Sequence, residues 1–111
     1  SKGAEKFLCL AQLSEGQEAL EYYIHGIKVL RAEVDTAEDA GEVKRRMASA
    51  MAAAAELFMT DLCELPDAEE RCEGILREAN DVDADNIEVL RVLADLRLVQ
   101  QRPADALECI R

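Results

Sequence analysis

Val82-Asp83-Ala84-Asp85-Asn86, then Leu90, Leu93 and Ala94, then Ala106 and Ile110, decide the fold of this chain. A polar turn ending in a capping residue leads into a helical stripe of two large residues and a small one. A second stripe follows, pairing a small residue with a large one four positions on. Those spacings fit a helix-turn-helix unit repeating about every 34 residues. One repeat length back from Leu93-Ala94 stand Met59-Thr60, and one back from Ala106 and Ile110 stand Cys72 and Leu76, so two units share one period. Small residues recur because antiparallel helices approach closely only where a side chain is small and large neighbours fill the flanks. On this reading Ala94→Leu or Ala106→Leu overpacks an interhelical contact, at about 1–3 kcal/mol.

These positions resemble the tetratricopeptide repeat, with Leu90, Leu93, Ala94, Ala106 and Ile110 in the family's order. Ala79, Val82 and Asp83 match the close of the preceding unit, with Ala84 where the family usually has Pro. Ala19, Tyr23 and Gly26 resemble the second helix of an earlier unit, whose first helix, around Phe7 to Leu13, fits less well. The resemblance implies an all-α solenoid of helical hairpins, a single domain over 1–111 with about six helices in three pairs, 2–34, 42–80 and 86–111. The chain stops at Glu108-Cys109-Ile110-Arg111, within the second helix of its last unit. Because solenoids ordinarily end in polar-faced caps, the expectation is a piece of a longer superhelix, with self-association through the uncapped ends as the alternative.

Composition agrees with helices. Half of the 111 residues are hydrophobic and only 4% aromatic, and Ala, Leu and Glu abound. Ser14 with Gln17 reads as a capping box before a helix from Ala19 to Val34, and Asp67 with Glu70, after Pro66, as a related signal before a helix from Cys72 to Ala79. Asp85 or Asn86 can cap the next helix, and Pro103 can open the last. The acidic stretch from Asp35 to Gly41 reads as a long connection. From Glu42, Met47, Met51, Ala54, Phe58 and Leu62 recur on one face, a stripe that reads as core. No apolar run long enough to span a membrane, no signal-peptide pattern and no lipidation motif appear, so a soluble intracellular chain is expected.

Cys9, Cys63, Cys72 and Cys109 form no Cys-x-x-Cys, and His25 is the single histidine, so no metal or other cofactor is expected. The cysteines read as free thiols serving as small apolar residues; a Cys63–Cys72 bond is the alternative, disfavoured in a reducing compartment. No catalytic residue can be nominated. His25 stands among Tyr22, Tyr23 and Ile24 without a nucleophile, pairs such as Glu69-Glu70 are commonplace in so acidic a chain, and Asp81 to Asp85 lacks the Gly and terminal Glu of a calcium loop. The chain is not expected to be an enzyme.

Charge is the remaining clue. Twenty-four acidic against thirteen basic residues give a formal net charge of −11, which disfavours nucleic acid and favours a basic partner. In tetratricopeptide superhelices the first helix of each unit lines a concave groove, and by resemblance Leu57, Asp61, Glu64, Glu88, Arg91, Asp95 and Leu98 would face it. That lining suits an extended segment rich in Lys and Arg. A clamp for a C-terminal carboxylate is disfavoured, because Asp61 and Asp95 stand where such clamps carry Asn.

A closer resemblance covers most of the chain. Leu10 through Leu20, Met59-Thr60-Asp61-Leu62-Cys63, Pro66-Asp67-Ala68-Glu69 with Arg71-Cys72, and Leu98-Val99-Gln100-Gln101-Arg102-Pro103 resemble the dedicated assembly chaperones of large-subunit ribosomal protein four. That resemblance implies the N-terminal part of a fungal-type tetratricopeptide protein, working in cytoplasm and nucleus. It would capture the basic, newly made ribosomal protein through an internal loop and escort it to ribosome assembly, without touching membrane or nucleic acid directly. The competing reading is a generic interaction scaffold for a peptide or helix of another partner.

Overall fold

A computed structural model describes residues 2–101, which form five α-helices: α1 (Lys2–Gln12), α2 (Gly16–Glu33), α3 (Ala40–Leu57), α4 (Ala68–Val82) and α5 (Ile87–Gln100). The fold is all-α. A sixth helix, with Pro103 at its start and Ala106 and Ile110 within it, would fall outside the described residues.

The helix α3 organises the rest. Its run of alanines leaves it buried on several sides, with Met47, Ala48, Ala50, Met51, Ala52, Ala54 and Ala55 all withdrawn from solvent. A helix lined with methyl groups lets neighbours approach closely, and α3 packs against α2, α4 and α5 together. Leu20 and Leu30 of α2, Cys72, Leu76 and Ala79 of α4, and Val89, Val92 and Leu96 of α5 close on it in one continuous core. The methionine stripe is therefore core. Consecutive helices form antiparallel pairs. An ion pair from Arg46 to Glu5 (3.3 Å) joins α3 to α1, and one from Arg31 to Glu78 (2.6 Å) joins α2 to α4. The result is two layers, α1, α3 and α5 in one and α2 and α4 in the other. A thickness of 18 Å, in a body 49 × 27 × 18 Å, matches two helices side by side.

The hairpin of α1 and α2 closes at Gly26, where a Cβ would stand 2.8 Å from Leu8 Cδ2 and 3.2 Å from Leu8 Cγ. Here the sequence reading of Ala19 and Gly26 as close-packing positions holds, since both are buried.

Helix starts divide between expected and unexpected chemistry. Asn86 caps α5 as expected, its Oδ1 accepting from the N–H groups of Glu88 (3.0 Å) and Val89 (3.2 Å). Asp85, just before it, takes the left-handed backbone (φ 66°) that aspartate tolerates better than most residues. Asp39 caps α3 by accepting from Glu42 N (3.1 Å), so that helix starts two residues before the expected Glu42. The capping box at Ser14 does not form. Glu15 holds the N-cap position without a side-chain bond, while the Ser14 hydroxyl donates back to the Leu10 carbonyl (2.8 Å). The reason is the turn itself: Gly16 takes φ +57° to reverse the chain, and its N–H is taken by Asp61 (2.9 Å) rather than by a local cap. Asp67 stands at the N-cap of α4 but makes no capping bond.

The period also slips. The helix α3 ends at Leu57, so Met59-Thr60 lies in a turn-rich connection over 58–67, not within a first helix. Starts of α3 and α5 are separated by far more than one standard repeat. In α5 the buried face is Val89, Val92 and Leu96, one position off the expected stripe: Leu93 is half-buried, Leu90 is 45% exposed and Ala94 is exposed. Overpacking at Ala94 is therefore not expected, and Ala106 lies outside the described residues.

The cysteines part company. Cys72 is buried and free, Cys9 is free but exposed, and Cys63 is disulfide-bonded. The free-thiol reading thus fails at Cys63. The Cys63–Cys72 alternative fails too, because Cys72 is a free thiol. Cys109 lies outside the described residues.

Candidate functional site

The layer of α1, α3 and α5 carries the candidate surface. Along α5, Glu88, Arg91, Asp95 and Leu98 stand three and four residues apart, and that spacing puts them on one stripe. Arg91 is its pivot. The guanidinium donates to Glu56 Oε2 on α3 (2.9 Å) and lies 3.5 Å from Asp95 Oδ2 one turn along, so a single cation ties the two helices across their shared face. The bond to Glu56 and the charge of that carboxylate hold the Arg91 guanidinium above its ordinary value. Glu88 is exposed, and Leu98, 59% exposed, supplies an apolar end to the stripe.

The other expected residues sit differently. Leu57, the last residue of α3, is half-buried against the core and lines a cleft of about 200 Å³ with Ala11, Tyr23 and Thr60. Asp61 is exposed in the connection after α3, where its carboxylate holds the Gly16 N–H. Glu64 is exposed farther along the same connection. The expected set therefore falls into an α5 stripe and a group following α3. Glu56 stands between them: its carboxylate meets Arg91, its side chain lines the cleft beside Leu57, and its charge, after burial, raises the Tyr23 phenol. Sequence reasoning missed Glu56, although it stands about one repeat length before Leu90 and ends the alanine run of α3.

Chemically this face can neutralise cations and little else. Glu56, Glu88 and Asp95 outnumber Arg91 on it. Among the described residues no cluster of His, Cys, Asp or Glu could hold a metal ion, and no helix is long and apolar enough to cross a membrane.

Paired helices stacked in two layers, with a charged stripe along one of them, define a helical-hairpin solenoid of the tetratricopeptide type. It is to the assembly chaperones of rpl4 that this chain is similar along nearly its whole length. Over 111 residues it is 43% identical to a Schizosaccharomyces pombe protein named Probable assembly chaperone of rpl4, a match covering 98% of this chain and 33% of that protein. Over 107 residues it is 36% identical to a protein of the same name from Emericella nidulans, covering 94% of this chain and 26% of that one. Among solved structures, the assembly chaperone of RpL4 (Acl4) superposes with a TM-score of 0.81 at 32% identity, over 91% of this chain and 42% of that one. The chain thus spans about a third or less of the curated relatives it matches. No family model matches it.

Proposed function

We infer that this chain forms part of a dedicated, non-catalytic chaperone for rpl4, and that the acidic stripe of α5, with Glu56 of α3, takes a basic segment of that client. Support comes from the relatives, which are named for that role, and from one observation at the site. Arg91, a guanidinium of the chain itself, already lies between carboxylates of two helices, the environment that a client arginine would need. An extended client chain laid across α3 and α5 would exchange its own Lys and Arg side chains for Arg91 and extend contacts to Glu88, Asp61 and Glu64. Shielding those cations keeps a newly made RNA-binding protein from adhering to RNA before it reaches the ribosome. Such a chaperone would work in cytoplasm and nucleus.

Calorimetric titration with the internal loop of ribosomal protein four, alongside a scramble of equal charge, tests this reading. Sequence-selective binding supports it, whereas equal binding of the scramble reduces it to charge attraction. Arg91→Ala sharpens the test. Both ion pairs of Arg91 are largely solvent-exposed and hold the fold by no more than about 1 kcal/mol each, so the variant should stay folded while freeing Glu56 and Asp95. Its affinity for the loop at low salt is expected to rise, and a fall would make Arg91 itself a client contact.

A further inference from the structure

The opposite layer, although α2 and α4 carry more acidic than basic residues, holds one cleft with a cationic rim. Between α2 and α4 lies a cleft of about 410 Å³. Ile24, Ile27 and Ile75 form its walls and Met51 and Ala54 of α3 its floor. Ile24 is 36% exposed, and Ile27 and Ile75 are half-buried, so the apolar lining is open to solvent. The volume falls within the roughly 300–1,000 Å³ of sites that hold small ligands or anchoring side chains.

Its rim is cationic. Lys28, Arg31 and Arg71 line it against a single carboxylate, Glu78, in a chain with 24 acidic and only 13 basic residues. Arg31 is taken up by Glu78 at 2.6 Å across the cleft. Lys28 and Arg71 have no ion-pair partner among the described residues, and the Arg71 guanidinium carbon lies over the Phe58 ring, 4.6 Å from its centre. A guanidinium drawn to a ring face by cation–π attraction keeps N–H groups to offer an incoming carboxylate. Apolar lining and uncompensated positive charge thus coincide on the face turned away from the acidic stripe.

We propose that the α2–α4 cleft is a docking site for an acidic amphipathic peptide segment of a partner protein, its Leu, Ile or Phe side chains seated on Ile24, Ile27 and Ile75 and its Asp or Glu residues meeting Lys28 and Arg71. A basic segment would be repelled there, so this partner is distinct from the rpl4 client, and the proposal stands whether or not the client reading does. A cationic cleft between α2 and α4 and an acidic stripe along α5 let one chain hold a basic cargo at one site and an acidic segment at another.

The test titrates the nitrogen-labelled chain with a short synthetic peptide carrying Leu and Phe at helical spacing among Asp and Glu. Two twins serve as controls, one with Lys for each acid and one with Ser for each apolar residue. The expected result is saturable binding of the acidic peptide alone, with amide shifts confined to residues 20–31, 51–54 and 71–78. Lys28→Glu with Arg71→Glu should weaken it by about tenfold or more, as like charges placed on an interface rim do. Ile24→Ser, at a half-open position with little bearing on the core, should weaken it without changing helicity. Absence of saturable binding, equal binding of the basic twin, or shifts falling on Glu88 to Leu98 would overturn the proposal.

Discussion

Asn86 shows how much one side chain decides. It is buried, caps α5 through Oδ1, and donates from Nδ2 toward the Arg45 carbonyl (3.4 Å), Ser49 Oγ (3.3 Å) and Asp83 Oδ2 (3.1 Å), so it pins the start of α5 to the first half of α3. Replacing it with Ala removes the cap and the tie together and should cost about 1–2 kcal/mol, read as a lower urea midpoint. Cys72 supplies a second prediction. Burial, reinforced by the carboxylates of Glu73, Glu69 and Glu56, pushes its thiol from 9.0 up to about 12. A group whose folded value is raised contributes stability that is complete below its unfolded value and lost as pH climbs toward the folded one. The melting temperature should therefore fall between pH 9.0 and about 12, with the Tyr23 phenol, raised by burial and then by Glu56, acting in the same direction. Cys72→Ala should flatten that decline, and an unchanged decline would place its origin elsewhere. In native protein a thiol reagent should label exposed Cys9 and spare Cys72, as peptide mapping would reveal.

At the scale of the element, the close-packed helix is α3. Ala48 and Ala55 are completely buried where α3 meets its neighbours. Ala55→Leu should overpack it by about 1–3 kcal/mol, whereas Ala94→Leu, on an exposed position of α5, should leave the melting temperature nearly unchanged. Gly26→Val is expected to destabilise by a similar amount to Ala55→Leu, because its branches meet Leu8, and thermal unfolding of the three variants orders them. Here the limits of the sequence reading are physical. Hairpins, the buried methionines and the Asn86 cap were legible because periodicity and capping chemistry are local. The slipped period was not, since α3 is long and its connection to α4 is extended, and a spacing borrowed from a standard unit places Met59 and Thr60 inside a helix that has already ended. Ser14 misled for a related reason: its capping partner competes with a left-handed Gly16 whose N–H is bound by Asp61, 45 residues away. Cys63 reads as a packing residue because nothing in its neighbours signals a disulfide.

For the whole molecule, the total charge of −11 was legible by counting, but which charges gather at the α5 stripe and at the α2–α4 cleft was not. Packing α3 beside α5 brings Glu56 to Glu88, Arg91 and Asp95, and packing α2 beside α4 brings Lys28 and Arg71 to one cleft. The stripe on α5 was readable from the three-and-four spacing of Glu88, Arg91, Asp95 and Leu98; its partner Glu56 emerges only when α3 and α5 are laid side by side. Electrostatic capture along that stripe is the central claim, and surface charges of this kind weaken as salt shortens their reach. The most direct test is titration of the rpl4 internal loop into the chain and into its Glu56→Lys, Asp95→Lys double variant, at low and at moderate salt. The account predicts that wild-type affinity falls steeply with salt and that the double variant binds far more weakly at low salt; equal affinities for the two proteins, insensitive to salt, would contradict it.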